Sequence, residues 1–201
     1  AYLQSRGERV SVKLPDVSAF APDNHDLNVK IRVENAEAAP RYTGVTVTGC
    51  KIGPSPDWMQ NCLRAAGINP KNNLVDITNF VLFEQGQPLH AFDAAKIEGR
   101  EVVVRTCAEG TPFVTLDGVE RKLTDKDLMI CSAERPMCIA GVFGGLDSGV
   151  SDTTTDVFIE SAYFNPVWVR KTAKRFGLNT DASFRFERGI DPNMQVYAAK
   201  R

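Results

Sequence analysis

Histidine occurs only twice in these 201 residues, as His25 in a stretch rich in Pro, Asp and Asn and as His90 farther along. An H-E-x-x-H pair or a multi-Cys/His zinc set therefore lacks its ligands, which argues against metal-assisted hydrolysis of that type. There is no G-x-S-x-G elbow, because Gly145-Leu-Asp-Ser-Gly149 sets Ser148 one place out of register. Gly141-Val-Phe-Gly-Gly145 lacks both the Lys-Ser/Thr of a P-loop and the spacing of a dinucleotide fingerprint. The five cysteines, Cys50, Cys62, Cys107, Cys131 and Cys138, form an odd set without a C-x-x-C pair. That suits a reducing compartment, and they read as buried thiols. No apolar run approaches the roughly 20 residues of a membrane span, and no secretory leader is visible, so a cytoplasmic protein without a membrane partner is expected. Nor is there a surplus of positive charge: 24 Lys and Arg face 25 Asp and Glu, a net charge of −1. A stand-alone nucleic-acid binder would carry one, so any RNA contact has to come from a local patch.

What is present is enough apolar residue, 43%, for a substantial core. Residues 1–40 read as an N-terminal arm belonging to a neighbouring domain, with one or two strands such as Leu27 to Val33, and a compact domain as occupying 41–201. Gly44-Val-Thr-Val-Thr-Gly49 has strand character. Ser55, Pro56 and Gly67 bracket Trp58, Met59, Cys62, Leu63 and Ala66 at helical spacing, with Ser55 as the N-cap. A second helix spans about Leu74 to Phe83 and leads into a polar loop, Glu84 to Pro88, that delivers His90. Val102 to Val104, Phe113 to Leu116, Leu128 to Cys131, Met137 to Phe143 and Val157 to Ile159 read as strands. Asp117-Gly118 serves as a tight hairpin turn, and the Met137 run is apolar enough to be central. Asn165-Pro166 begins a helix that Gly177 stops. Strands with interspersed helices but no strict βαβ alternation predict an α+β fold, with mixed or antiparallel sheets and packed helices. The chain starts without Met and ends in the helical-looking Ala-Ala-Lys-Arg, as expected of a piece of a longer subunit.

Three places could carry chemistry. The glycines at 141, 144 and 145 make either a tight turn or room for a ligand against the backbone. Arg170, Lys171, Lys174, Arg175, Arg185 and Arg188, against Asp181 and Glu187, form a local basic surplus that is either a solvated face or a phosphate contact. They bracket the hydroxyl- and carboxylate-rich loop Asn179-Thr-Asp-Ala-Ser183. Glu160 is placed by alternation at a strand's end among apolar neighbours, where a carboxylate is either paired with an arginine or poised to bind something.

Several of these stretches, taken together, resemble the β subunits of bacterial phenylalanyl-tRNA synthetases: Leu74-Val-Asp-Ile-Thr-Asn-Phe80, Gly86-Gln-Pro-Leu-His-Ala-Phe-Asp93, Gly141-Val-Phe-Gly-Gly145, Ser148-Gly149, Gly177-Leu-Asn-Thr-Asp-Ala-Ser183, Arg185-Phe-Glu-Arg-Gly189 and Asp191-Pro192. Order and spacing match from about Ala39 to Pro192. The resemblance implies a B3/B4-like editing domain that hydrolyses tyrosine mischarged onto tRNA(Phe). Its catalytic residues would be His90, Glu160 and Thr180, and Gly144, Glu160, Thr180 and Ala182 would bind substrate. Asn69 would stand where some bacterial members have an arginine that contributes to the site, with Lys71 nearby. The basic residues from Arg170 to Arg188 would contact tRNA. No cofactor or metal is implied in this piece; ATP and magnesium, the α-subunit partner in an α2β2 assembly and tRNA(Phe) belong to the whole enzyme. A non-catalytic tRNA-contacting or subunit-assembly module and a free-standing editing hydrolase are the alternatives.

The editing role has a physical basis. An apolar pocket built for phenylalanine rejects an added hydroxyl by only about 100-fold, whereas a second site that hydrogen-bonds the phenol can reject phenylalanine by roughly 10⁴-fold. Glu160 as an ionised acceptor fits that second site, and a water positioned by His90 could attack the ester without a protein nucleophile.

Overall fold

The structure, a computed structural model, describes residues 2–11 and 13–201. A single helical turn, α1 (Tyr2–Ser5), precedes a long irregular segment leading to β1 (Lys30–Val33) and β2 (Arg41–Val47). Helices α2 (Asp57–Ala65) and α3 (Asn73–Gln85) come next, then β3 (Leu89–Asp93) and β4 (Glu101–Thr106) with two short 3₁₀ turns between them. A run of strands follows: β5 (Pro112–Val114), β6 (Glu120–Lys122), β7 (Leu128–Cys131), β8 (Pro136–Ile139), β9 (Phe143–Gly144) and β10 (Val157–Tyr163). Helices α4 (Pro166–Phe176), α5 (Asp181–Phe186) and α6 (Gln195–Lys200) complete the order. The fold is α+β, and among the described residues no helix is long and apolar enough to cross a membrane.

Three sheets organise these elements: a five-stranded one in the order β1-β4-β7-β8-β9, a three-stranded one in the order β2-β10-β3, and the β5-β6 hairpin. All pairings are antiparallel except β1 with β4. Part of the presumed arm, β1, lies in the large sheet. Lys30 to Val33 satisfy their backbone groups against Glu101 to Val104, inside this fold. β7, every residue of which is buried, is the middle strand, and β8, which holds the start of the Met137 run, is an interior strand beside it. That run breaks at Gly141, whose φ of +67° turns β8 back into β9.

Local chemistry explains most element ends. Asn165 Oδ1 accepts the Val167 N–H at 2.9 Å, Pro166 occupies the first turn where no donor is needed, and Gly177 takes the left-handed C-cap. Asn72 caps α3 in the same way through Val75 N–H, and Gly86 ends it. Ser55 is the exception: its hydroxyl donates to buried Asp76, so α2 starts after Pro56 without a side-chain cap. The cysteines also divide. Cys107, Cys131 and Cys138 are buried, but Cys62 is exposed because it lies on the outer side of amphipathic α2, and Cys50 is half-buried.

One apolar core joins the large sheet to the small one. Val102, Val104, Met129, Ile130 and Ile139 meet Phe92, Phe158 and Ala162, with Val169, Ala173 and Phe186 from α4 and α5. Side chains alternate along a strand, so Phe158, Glu160 and Ala162 share one face of β10. Phe158 and Ala162 belong to the core, which places Glu160 between two core residues.

Candidate functional site

Glu160 sits in the middle of β10 and not at a strand's end as alternation implied. It stands opposite Gly44 of β2 on one side and His90 of β3 on the other. His90 is therefore a strand residue, not part of the preceding loop. It packs edge-on against Phe92, two residues along the same face, with ring centroids 4.4 Å apart. Among the described residues no arginine pairs with Glu160. Its Oε2 accepts a hydrogen bond from the Tyr42 hydroxyl at 2.5 Å, although 118 residues separate the two in sequence. Tyr42 is aligned with Ala162, so it is the diagonal cross-strand neighbour of Glu160, a spacing that a long side chain can bridge.

The glycine turn and α5 complete the enclosure. Gly144 is where a side chain would intrude: a Cβ there would lie 2.9 Å from Leu116 Cδ1 and 3.4 Å from His90 Cε1. Gly145 and Gly141 answer to packing, since a Cβ would meet the Met137 carbonyl at 2.5 Å in one case and Phe186 and Phe164 at 2.9 and 3.0 Å in the other. Asn179 to Ser183 is the start of α5 and not an open loop. Thr180 Oγ1 accepts the Ser183 N–H at 3.0 Å in a capping box and donates to the Val142 carbonyl at 3.0 Å. That hydroxyl thus fastens α5 to the glycine turn.

The result is a cavity of about 250 Å³ lined by His90, Gly144, Glu160, Thr180 and Ala182, all residues singled out from the sequence. It lies near the small end of ligand pockets, closer to an amino-acid moiety than to a nucleotide. Leu116, Cys138, Asn79 and Asp181 line it too, and sequence reasoning did not single them out as site residues. Asn79 and Asp181 lie inside the quoted motifs and were legible there; Leu116 and Cys138 carry no local signal. Asn69 is exposed in the turn after α2 and is not among the lining residues, so the structure does not bring it to this site. A larger cleft of about 570 Å³ lies between residues 20–29 and β2, but it does not contain this set of groups.

Burial sets the electrostatics. It pushes the Glu160 carboxyl up to about 7, with the Tyr42 hydrogen bond pulling only partly the other way. Near neutral pH the acceptor is therefore divided between its charged and neutral forms, not held fully ionised. Burial pushes His90 down to about 4, so its imidazole is neutral. His90 as a residue is half-buried, and its Nε2 is buried with no hydrogen-bond partner among the described residues. Burial and then the Glu160 charge raise the Tyr42 phenol well above its ordinary value, which keeps it a donor. The site can accept a hydroxyl at Glu160.

The six basic residues are not equally free. Arg175 pairs with buried Asp127 and stacks 3.8 Å over Phe176. Arg185 pairs with Asp181 at 3.1 Å and lies 4.8 Å over Phe83. Arg188 pairs with Glu187, and Arg170 donates to the Glu187 carbonyl at 3.0 Å. Lys171 and Lys174 are exposed and have no ion pair among the described residues.

Residues 38–201 match a family model described as the B3/4 domain. Over its whole length the chain is 64% identical to the phenylalanine–tRNA ligase beta subunit of Bacteroides fragilis, 62% to that of Bacteroides thetaiotaomicron and 57% to that of Porphyromonas gingivalis. It spans 24% of the length of each of these relatives. A crystal structure of an N-terminal fragment of the phenylalanyl-tRNA synthetase beta subunit from Pyrococcus horikoshii aligns with 74% of this chain and 49% of that one, at 15% identity and a TM-score of 0.47.

Proposed function

The chain belongs to the B3/4 domain family, and from that membership we propose that it is the proofreading part of a phenylalanine–tRNA ligase β subunit, hydrolysing tyrosine from mischarged tRNA(Phe). One observation carries the reading: a carboxyl lining the cavity, Glu160, already accepts a hydrogen bond from a phenol, that of Tyr42. That contact supports the reading, since the carboxyl that would tell tyrosine from phenylalanine is one that can pair with a phenol. Phenylalanine would leave that acceptor unpaired, which is the condition for strong discrimination.

In this proposal the tyrosine ring enters between Gly144 and Ala182, its hydroxyl reaches Glu160, and the ester carbonyl lies toward His90. The reaction adds water to the carbonyl carbon and releases tyrosine and the tRNA 3′-terminal hydroxyl. His90 is a weak base, since its pKa near 4 lies far below the working pH. Its role is to hold the attacking water, which requires the buried Nε2 to open to the cavity as substrate enters, while Thr180 keeps α5 in place. The chain itself requires no cofactor. ATP and magnesium serve the charging reaction elsewhere in the whole enzyme, which pairs with α subunits as α2β2 and takes tRNA(Phe).

The test is Tyr-tRNA(Phe) deacylation by the whole enzyme carrying Glu160→Ala. Loss of a hydrogen bond to a carboxyl divided between neutral and charged forms, about 0.5–3 kcal/mol, corresponds to a roughly 2- to 150-fold fall, with phenylalanine charging unchanged. A non-catalytic tRNA-contacting role, favoured by the exposed Lys171 and Lys174, requires instead that deacylation stay at the wild-type level.

A further inference from the structure

We propose that Tyr42 is a specificity-determining positioning residue for this site, its hydroxyl holding one oxygen of Glu160 so that the other is aimed at an incoming phenol. This deepens the editing reading and rests on it. Tyr42 donates to Oε2 at 2.5 Å, while Oε1 receives no hydrogen bond among the described residues. Glu160 lines the cavity and Tyr42 does not. Tyr42 therefore reaches the carboxyl from the core side, where its ring lies 6.4 Å from Phe164, and leaves the cavity side open. Gly44 opposite Glu160 carries no side chain, and the Phe158 ring, to which a Cβ at 44 would come within 2.1 Å, fills that place with apolar carbon that gives the carboxyl oxygens no directional restriction. The Tyr42 bond supplies that restriction, and a fixed acceptor loses less freedom when substrate binds.

The same bond sets when the acceptor is charged. Tyr42 is the one group that pulls the Glu160 carboxyl back down against burial, so removing it raises the pH at which Glu160 ionises. The other titratable groups facing Glu160 are His90, Cys138 and Asp181. His90 of β3 is already neutral, and the Cys138 thiol of β8 is held well above its ordinary value by burial and then by the Glu160 charge. Asp181 of α5 is paired with Arg185.

Tyr42→Phe removes the hydroxyl and keeps the ring, and its effect is read in the whole enzyme beside Glu160→Ala and the double variant. The expected result is an increase of about 3- to 10-fold in KM for Tyr-tRNA(Phe), with kcat little changed, because loss of a single neutral donor is worth about that much. The midpoint of the pH dependence of KM moves to higher pH. The double variant is no worse than Glu160→Ala alone, since Tyr42 acts through Glu160. If Glu160→Ala deacylates at the wild-type rate, the editing reading itself fails. If Glu160→Ala loses activity while Tyr42→Phe keeps both its KM and its pH midpoint, only the role of Tyr42 is overturned. Additive losses in the double variant would equally overturn it, because they would mark a general packing defect.

Discussion

Replacing Glu160 with Gln removes a buried titratable group at nearly constant shape, and its carbonyl can still accept from Tyr42. Burial raises the Glu160 carboxyl from its ordinary 4.5 to about 7. A group with a raised folded-state pKa binds its proton more tightly in the folded chain. Its contribution to stability is therefore complete below about pH 4.5 and is lost as pH rises to about 7. At about 1.4 kcal/mol for each tenfold change in proton affinity, the wild type gives up about 3 kcal/mol across that window. For a chain of this size that is roughly 6–12 °C of melting midpoint. His90 runs the other way: its pKa, lowered from 6.5 to about 4, yields stability that is complete above 6.5 and lost as pH falls toward 4. The two opposing slopes flatten the wild-type curve in acid and would hide both effects in a single scan. The difference between Glu160→Gln and wild type cancels His90, whose shift comes from burial alone. Thermal midpoints measured from pH 4 to 8 should diverge, the Gln variant becoming the more stable by roughly 6–12 °C at the alkaline end. Parallel curves would show that Glu160 does not titrate in this window and would remove the physical basis for a pH-tuned acceptor.

Two other perturbations probe the frame around the site. Asp127 is 1% exposed and accepts from Thr124 N–H at 2.7 Å, Thr172 Oγ1 at 2.9 Å and Arg175, so Asp127→Ala should cost about 3 kcal/mol in urea unfolding. A loss below about 1 kcal/mol would mean that the network is not holding α4 to the β-sheet layer. Reversing Lys171 and Lys174 to Glu should reduce the slope of log tRNA affinity against log salt by about two, because among the described residues these two of the six basic residues have no intramolecular partner. An unchanged slope would identify the face as solvated and not as a phosphate contact.

Features that short-range chemistry governs could be read directly from the sequence. Asn165-Pro166 and Gly177 bound α4, Asp117-Gly118 makes the β5-β6 turn, and the mixture of strands and helices without alternation is realised as α+β. Motif order pointed to the B3/4 family, and His90, Gly144, Glu160, Thr180 and Ala182 do line one cavity. Other assignments depended on partners far away in the chain. A glutamate between apolar residues looks like a strand terminus because an isolated buried carboxyl is costly; only the pairing of β10 with β2 shows that Tyr42 meets that cost in mid-strand. Polar Gln87 reads as part of a surface loop, yet it is 1% exposed because Gln195 and the Ala162 carbonyl satisfy its amide. The arginines from Arg170 to Arg188 read as a local surplus over Asp181 and Glu187, and only the fold brings Asp127, distant in sequence, against Arg175. The sequence by itself determined element type, turn positions and family, since these depend on neighbours a few residues apart. The tertiary structure alone decided which polar groups are satisfied, which are orphaned and where Glu160 titrates, because hydrogen bonding and desolvation depend on atoms that only folding brings together.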